Sequence, residues 1–261
     1  MHPQPAGTNA DTSDPDTAAA LLREAELVLI DLDGCLAFGE APAPSAAAFL
    51  RMVEDRFVVL SNNSTDTPES LSDRLGRAGL TVEPRRIMLA GALMVDELAA
   101  THGDGTVALF AAPQLKEYAR ASGVTLVEAA ASTDTVAVAR DLSLTFEDLN
   151  TMLRLLHGGA NLIVSNPDLT HPGNNRVPVV ETGALLALLE ACLPGLHPRI
   201  VGKPDPLMFL RALQRFGATP ARSVMVGDNP ATDGLGARCA GMPAILVGPN
   251  GSYAGVGDLV R

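Results

Sequence analysis

The chain has 261 residues with 30 acidic against 19 basic side chains, a formal charge of −11 at neutral pH, which argues against nucleic-acid binding through a broad basic face. Its 47% hydrophobic content and 24 glycines fit a globular protein of one large or two unequal domains. No stretch approaches the roughly 18 uninterrupted apolar residues of a membrane span.

The opening MHPQPAGTNADTSDPDT lacks the basic and apolar regions of a secretory leader and reads as a disordered arm to about residue 18 of a cytoplasmic protein. The apolar run AELVLI at 25–30 then reads as a buried strand ending at Asp31-Leu32-Asp33-Gly34, followed by a helix near 44–54. RFVVL ends at Ser61-Asn62, and Thr67-Pro68 is an N-cap with proline at the first helical position, opening a helix over 68–78. Strand 87–90 and helix 91–101 complete a first βαβαβα block. After THGDG the pattern restarts: strand TVALFA, helix 113–121, strands VTLVEA and DTVAVAR, a helix from Thr145 with Asp148 in capping-box position, and strand NLIVSN. Helix 183–192, strand RIV, helix 206–216, strand SVMV, helix 231–240 and strand AILV follow. The expectation is an α/β protein with a Rossmann-like parallel sheet, split by a smaller α/β insertion over 104–180. The odd set Cys35, Cys192 and Cys239 has no metal-ligand spacing and makes a disulfide framework unexpected.

Four polar segments lie where apolar runs end: Asp31-Leu32-Asp33-Gly34, Ser61-Asn62, Gly202-Lys203-Pro204 and Gly227-Asp228-Asn229 with Asp233. Buried parallel strands place such residues at the carboxyl edge of an open sheet, where ligands bind. Paired carboxylates can divide into a nucleophile and a general acid/base, and further carboxylates suit a hard cation such as Mg²⁺. Singly, each segment is better read as a turn or a helix cap; their order and placement together argue for a phosphate-handling metal site. Of 19 basic residues only Lys116 and Lys203 are lysines. A lysine kept in Gly-Lys-Pro, in a chain that otherwise uses arginine, points to a need for a compact ammonium. Lys116 reads as a solvated charge.

The set D-x-D-G, S-N, G-K-P and G-D-N-x-x-x-D resembles the four motifs of the haloacid dehalogenase superfamily of phosphohydrolases. The α/β insertion between the second and third motifs resembles the large-cap subfamily of NagD-type, p-nitrophenyl, phosphoglycolate and pyridoxal phosphatases. Ser165-Asn166-Pro167-Asp168 and Thr182-Gly183-Ala184-Leu185 match the stretch where that cap rejoins the core. The resemblance implies a catalytic core over 19–103 and 181–261 and a cap over 104–180. Asp31 would be the nucleophile and Asp33 the acid/base. Ser61, the Asn62 amide and Lys203 would bind phosphate. Mg²⁺ would lie on Asp31, the Asp33 carbonyl and Asp228, with Asp233 ligating it directly or through water. Cys35 departs from the family's usual Thr or Val, and Glu181 from a small residue.

Loop 168–181 is expected to set substrate choice, through His171, Asn174, Asn175, Arg176 and Glu181; Asp168–Pro172 is similar to the D-x-x-H-P stretch of pyridoxal phosphatases. The expected partner is a small phosphorylated metabolite, not nucleic acid or membrane, and a homodimer through the cap is allowed. Two other readings stay open: a phosphotransferase or mutase using the same aspartyl-phosphate, and a non-catalytic phosphate-ligand-binding protein on the same scaffold.

Overall fold

The computed structural model describes residues 14–101, 103, 105–128, 132–172 and 177–260. In chain order the elements are α1 (Pro15–Glu24), β1 (Leu27–Asp31), β2 (Ala37–Phe38), β3 (Ala41–Pro42), α2 (Ala46–Val53), β4 (Phe57–Ser61), α3 (Pro68–Arg77), β5 (Ile87–Leu89) and α4 (Ala90–Thr101). Then come β6 (Val107–Phe110), α5 (Pro113–Ala121), β7 (Thr135–Val138), α6 (Phe146–His157), β8 (Asn161–Val164), β9 (Thr170–Pro172), β10 (Pro178–Val180) and α7 (Thr182–Cys192). The chain closes with β11 (Arg199–Ile200), α8 (Leu207–Phe216), β12 (Ser223–Gly227), α9 (Leu235–Cys239) and β13 (Ala244–Leu246). No described helix is long and apolar enough to cross a membrane.

The chain divides into two compact units. Unit 1 comprises 1–61, 71–88 and 203–261, and unit 2 comprises 62–70 and 89–202. Unit 1 is built on a five-stranded sheet of order β13-β12-β1-β4-β5. Strands β1, β4 and β12 are buried at every residue, which is why they read as continuous apolar runs and not as alternations. Phe49 on α2 and Phe209 on α8 are fully buried, each contributing roughly 1.5–3 kcal/mol of apolar burial. Strand β1 has β12 on one side and β4 on the other, with Ile30 opposite Val226 and Asp31 opposite Leu60. The first crossover therefore goes one way from β1 and the later strands add on the other, so the end of β1 is a topological switch point.

Unit 2 has a four-stranded parallel sheet of order β11-β8-β7-β6 and an antiparallel β9–β10 pair. Its core gathers Phe110, Val136, Val138, Met152, Leu155 and Leu189. The capping box expected at the start of α6 is present: Thr145 Oγ1 accepts from Asp148 N–H at 3.2 Å, and Asp148 Oδ2 accepts from Thr145 N–H at 2.8 Å. The N-cap of α3 forms likewise, Thr67 Oγ1 accepting from Ser70 N–H at 3.2 Å.

Several expectations are corrected. The arm expected to be disordered to about residue 18 is helical from Pro15, because Asp14 Oδ2 caps Thr17 N–H at 3.0 Å and α1 buries Ala18 and Leu22. Strand RIV, expected in the main sheet, joins the other one: β11 pairs with β8, and the ladder runs on through Val201 N–H to Val164 O and Gly202 N–H to Ser165 O. A short apolar run announces a strand but not its partner. Helices α4 and α7 fall in unit 2. VTLVEA makes only one isolated bridge among its described residues, Leu126 with Val107. Helix 231–240 is a π-turn over Pro230–Gly234 followed by the short α9. Within loop 168–181, residues 170–172 and 178–180 form the β9–β10 pair.

Candidate active site

Asp31 ends β1, Ser61 ends β4 and Asp228 follows β12, three neighbouring parallel strands spaced about 4.8 Å apart. Their carboxyl ends therefore deliver these groups to one edge. Lys203, where the chain re-enters unit 1, is 2% exposed and sits between two carboxylates, Nζ lying 2.5 Å from Asp31 Oδ1 and 2.7 Å from Asp233 Oδ1. Ser61 Oγ donates to Asp33 Oδ2 at 3.2 Å. Asp33 itself is exposed.

Asp233 is buried and aimed by the π-turn. The Asn229 carbonyl accepts from Thr232, Asp233 and Gly234 N–H, and Asp233 Oδ2 accepts from Asn229 N–H at 3.1 Å. Single π-turns of this kind occur frequently at functional sites. Both Asp233 oxygens are thus engaged, one by Lys203 and one by backbone.

The charges do not balance. One oxygen each of Asp31, Asp228 and Asp233 lie within 4.8 Å of one another, against the single ammonium of Lys203. Burial pushes the Asp31 carboxyl up, Lys203 opposing and Asp233 adding to the shift. Burial, with Asp233 next, raises Asp228 to about 6. Burial works against the Lys203 ammonium, but Asp233 and Asp31 outweigh it and hold the lysine above its ordinary range. Three clustered carboxylates facing one cation leave about two negative charges to be met, which an oxygen-loving divalent ion matches. The donor set therefore fits Mg²⁺.

Two glycines make room for these carboxylates. Gly34 has φ +91°, and a Cβ there would overlap Asp228 Oδ2; a Cβ on Gly227 would overlap the Asp233 carboxylate. Cys35 is buried with Sγ 3.7 Å from the Val226 carbonyl. Burial and the Asp31 charge push its thiol up, so it is inert filling beneath the site.

Asn62 opens unit 2. Its Nδ2 donates to Asp168 Oδ2 at 2.9 Å and its carbonyl accepts from Asn166 Nδ2 at 2.8 Å; sequence reading placed both partners where the insertion rejoins the core but tied neither to Asn62. Also in unit 2, Glu181 caps α7 and lies 2.7 Å from His171 Nδ1 and 3.3 Å from Arg140 Nε. Burial raises its carboxyl, with Arg140 and His171 opposing. Arg140 was missed; its only signal was its place just past an apolar run. Asn174, Asn175 and Arg176 lie outside the described residues. Unit 1 thus assembles Asp31, Asp33, Ser61, Lys203, Asp228 and Asp233, while His171 and Glu181 meet each other in unit 2.

Comparison with known proteins bears on this arrangement. Residues 28–125 match the sequence pattern described as haloacid dehalogenase-like hydrolase, and residues 200–254 match a second pattern described as HAD-hydrolase-like. Dihydroxyacetone phosphatase of Corynebacterium glutamicum is 33% identical over 222 residues, 84% of this chain and 79% of that protein. The solved structure of NagD from E. coli superposes with a TM-score of 0.78 at 28% identity, covering 87% of this chain and 88% of that one. A glycerol phosphate phosphatase of Mycobacterium tuberculosis in complex with magnesium superposes with a TM-score of 0.80 at 26% identity, covering 88% and 69%.

Proposed function

The chain belongs to the haloacid dehalogenase-like hydrolase family, and from that premise we propose that it is a Mg²⁺-dependent hydrolase of small phosphomonoesters working through an aspartyl-phosphate on Asp31. The observation that supports this most is the buried Asp31–Lys203–Asp233 chain with Asp228 beside it. It leaves a nucleophile and an excess of negative charge at one sheet edge.

In this reading Asp31 attacks phosphorus and the bond to the leaving oxygen breaks as Asp33 gives that oxygen a proton. Water then attacks the aspartyl-phosphate, Asp33 takes its proton, and Asp31 is released with inorganic phosphate. Asp33 is suited to both steps because it is exposed and can exchange protons with substrate and solvent. Ser61, the Asn62 backbone N–H and Lys203 hold the phosphoryl oxygens, the positioning that phosphoryl transfer chiefly demands. The metal, held by Asp31, Asp228 and the Asp33 carbonyl, with Asp233 close by, would supply charge neutralisation between the carboxylate and an anionic substrate. Because both Asp233 oxygens are engaged by protein, we assign Asp233 to holding Lys203, and its contribution to the metal would come through water.

Relatives named dihydroxyacetone phosphatase and glycerol phosphate phosphatase put three-carbon esters first among substrates to test. Phosphate release is measured over sugar phosphates, three-carbon phosphates, phosphoglycolate, nucleoside monophosphates and pyridoxal phosphate, with EDTA and with Mg²⁺ restored. Release that needs Mg²⁺ is the expected result; full activity in EDTA removes the metal from the reaction. A phosphorylated product formed from added alcohol would instead favour a phosphotransferase.

A further inference from the structure

Asn166 and Asp168 make contacts that the chemistry above does not use. Asn166 is 1% exposed. Its Nδ2 donates to the Asn62 carbonyl at 2.8 Å, and its Oδ1 accepts from Asp168 N–H at 3.1 Å. Asp168 Oδ2 in turn accepts from Asn62 Nδ2 at 2.9 Å. Asn62 is therefore gripped at its carbonyl and at its side chain by residues more than 100 positions further along the chain. Asn62 Oδ1 also packs against Gly202, where a Cβ would stand only 2.5 Å away. Ser64, Ser165 and Thr182 hydroxyls, 3.3–3.5 Å from Asn166 Nδ2, complete a buried polar cluster.

Such a cluster is no more stabilising than apolar packing of the same volume. What it supplies is fixed geometry around one residue. We propose that Asn166 and Asp168 are positioning residues for phosphoryl binding: by clamping the carbonyl and side chain of Asn62 they hold its backbone N–H ready to donate to a phosphoryl oxygen. This rests on the reading that the Asn62 N–H binds phosphate. A donor fixed beforehand needs no reorganisation when charge arrives, and it acts most strongly for that reason.

The test compares wild type, Asn166→Ala, Asp168→Ala and Asp168→Asn in hydrolysis of 4-nitrophenyl phosphate, with inorganic phosphate as competitive inhibitor and Mg²⁺ titrated separately. Asn166→Ala and Asp168→Ala are expected to weaken phosphate inhibition and raise KM by about tenfold, while Mg²⁺ half-saturation stays within about twofold. Asp168→Asn keeps an acceptor oxygen for Asn62 Nδ2 and is expected to behave as wild type. Unchanged phosphate affinity in both alanine variants overturns the inference, as does a parallel loss of phosphate affinity, Mg²⁺ affinity and melting temperature. Should Asn166→Ala fail to fold, the Asp168 pair decides alone. A wild-type enzyme that phosphate does not inhibit would remove the underlying reading as well, whereas an inhibited wild type matched by its variants removes only the positioning role.

Discussion

At the scale of single residues, the most informative contact is Lys203 between Asp31 and Asp233, 2.5 and 2.7 Å away. Lys203→Arg keeps the charge but replaces a compact ammonium with a planar fork, in a position 2% exposed that has no room for it. The expected loss in kcat is on the order of 10²-fold or more, as for removal of a preorganised donor; wild-type rates would mean that Lys203 supplies only diffuse charge. Asp31→Asn is expected to lower turnover by about 10³-fold or more, measured as phosphate release. Its thermal unfolding without metal should be no earlier than that of wild type, because burial already disfavours the Asp31 charge and Lys203 keeps Asp233. That Asp31 and Lys203 stand just past apolar runs was legible in the sequence. The pairing of Lys203 with Asp233 was not, because the two approach only through the π-turn.

At the scale of elements, local signals translated well where a helix end or a turn satisfies itself. Thr145, Thr67 and Pro68 act as their spacing says, because a cap needs only neighbours three residues away. Thr145→Ala is expected to cost about 0.5–2 kcal/mol in chemical denaturation, with little effect on kcat, since the capping box serves α6 alone. Gly34→Ala should do the opposite. The left-handed φ of +91° costs an L-residue about 1–2 kcal/mol, and the added Cβ would displace the Asp228 carboxylate. The Mg²⁺ needed for half-maximal activity should therefore rise well beyond the change in stability, and a variant with normal metal dependence would show that Asp228 is not a ligand. Strand partners were less legible. The two-residue β11 carries no mark that says which sheet it joins, and the expectation failed there.

At the scale of the whole molecule, the carboxylates and ammonium assigned to the chemistry belong to unit 1, whereas His171, Glu181 and Arg140 belong to unit 2. If unit 2 selects substrate, His171→Ala should change KM and the ranking of natural substrates more than turnover of 4-nitrophenyl phosphate, as loss of uniform binding does. An equal, large fall in kcat on every ester would make His171 part of the catalytic machinery.

The sequence by itself determined the α/β class, the four motif positions and the excess of carboxylate over ammonium, because continuous apolar runs and the polar residues ending them are local patterns. The tertiary structure decided which strands are neighbours, and with that which motif residues meet. It seated β11 beside β8, made residues 15–18 the first turn of a helix and aimed both Asp233 oxygens at protein partners. It also brought Asn166 and Asp168 onto Asn62 across more than 100 residues. Contacts of that separation depend on the packing of whole elements, and periodicity within any one segment carries no record of them.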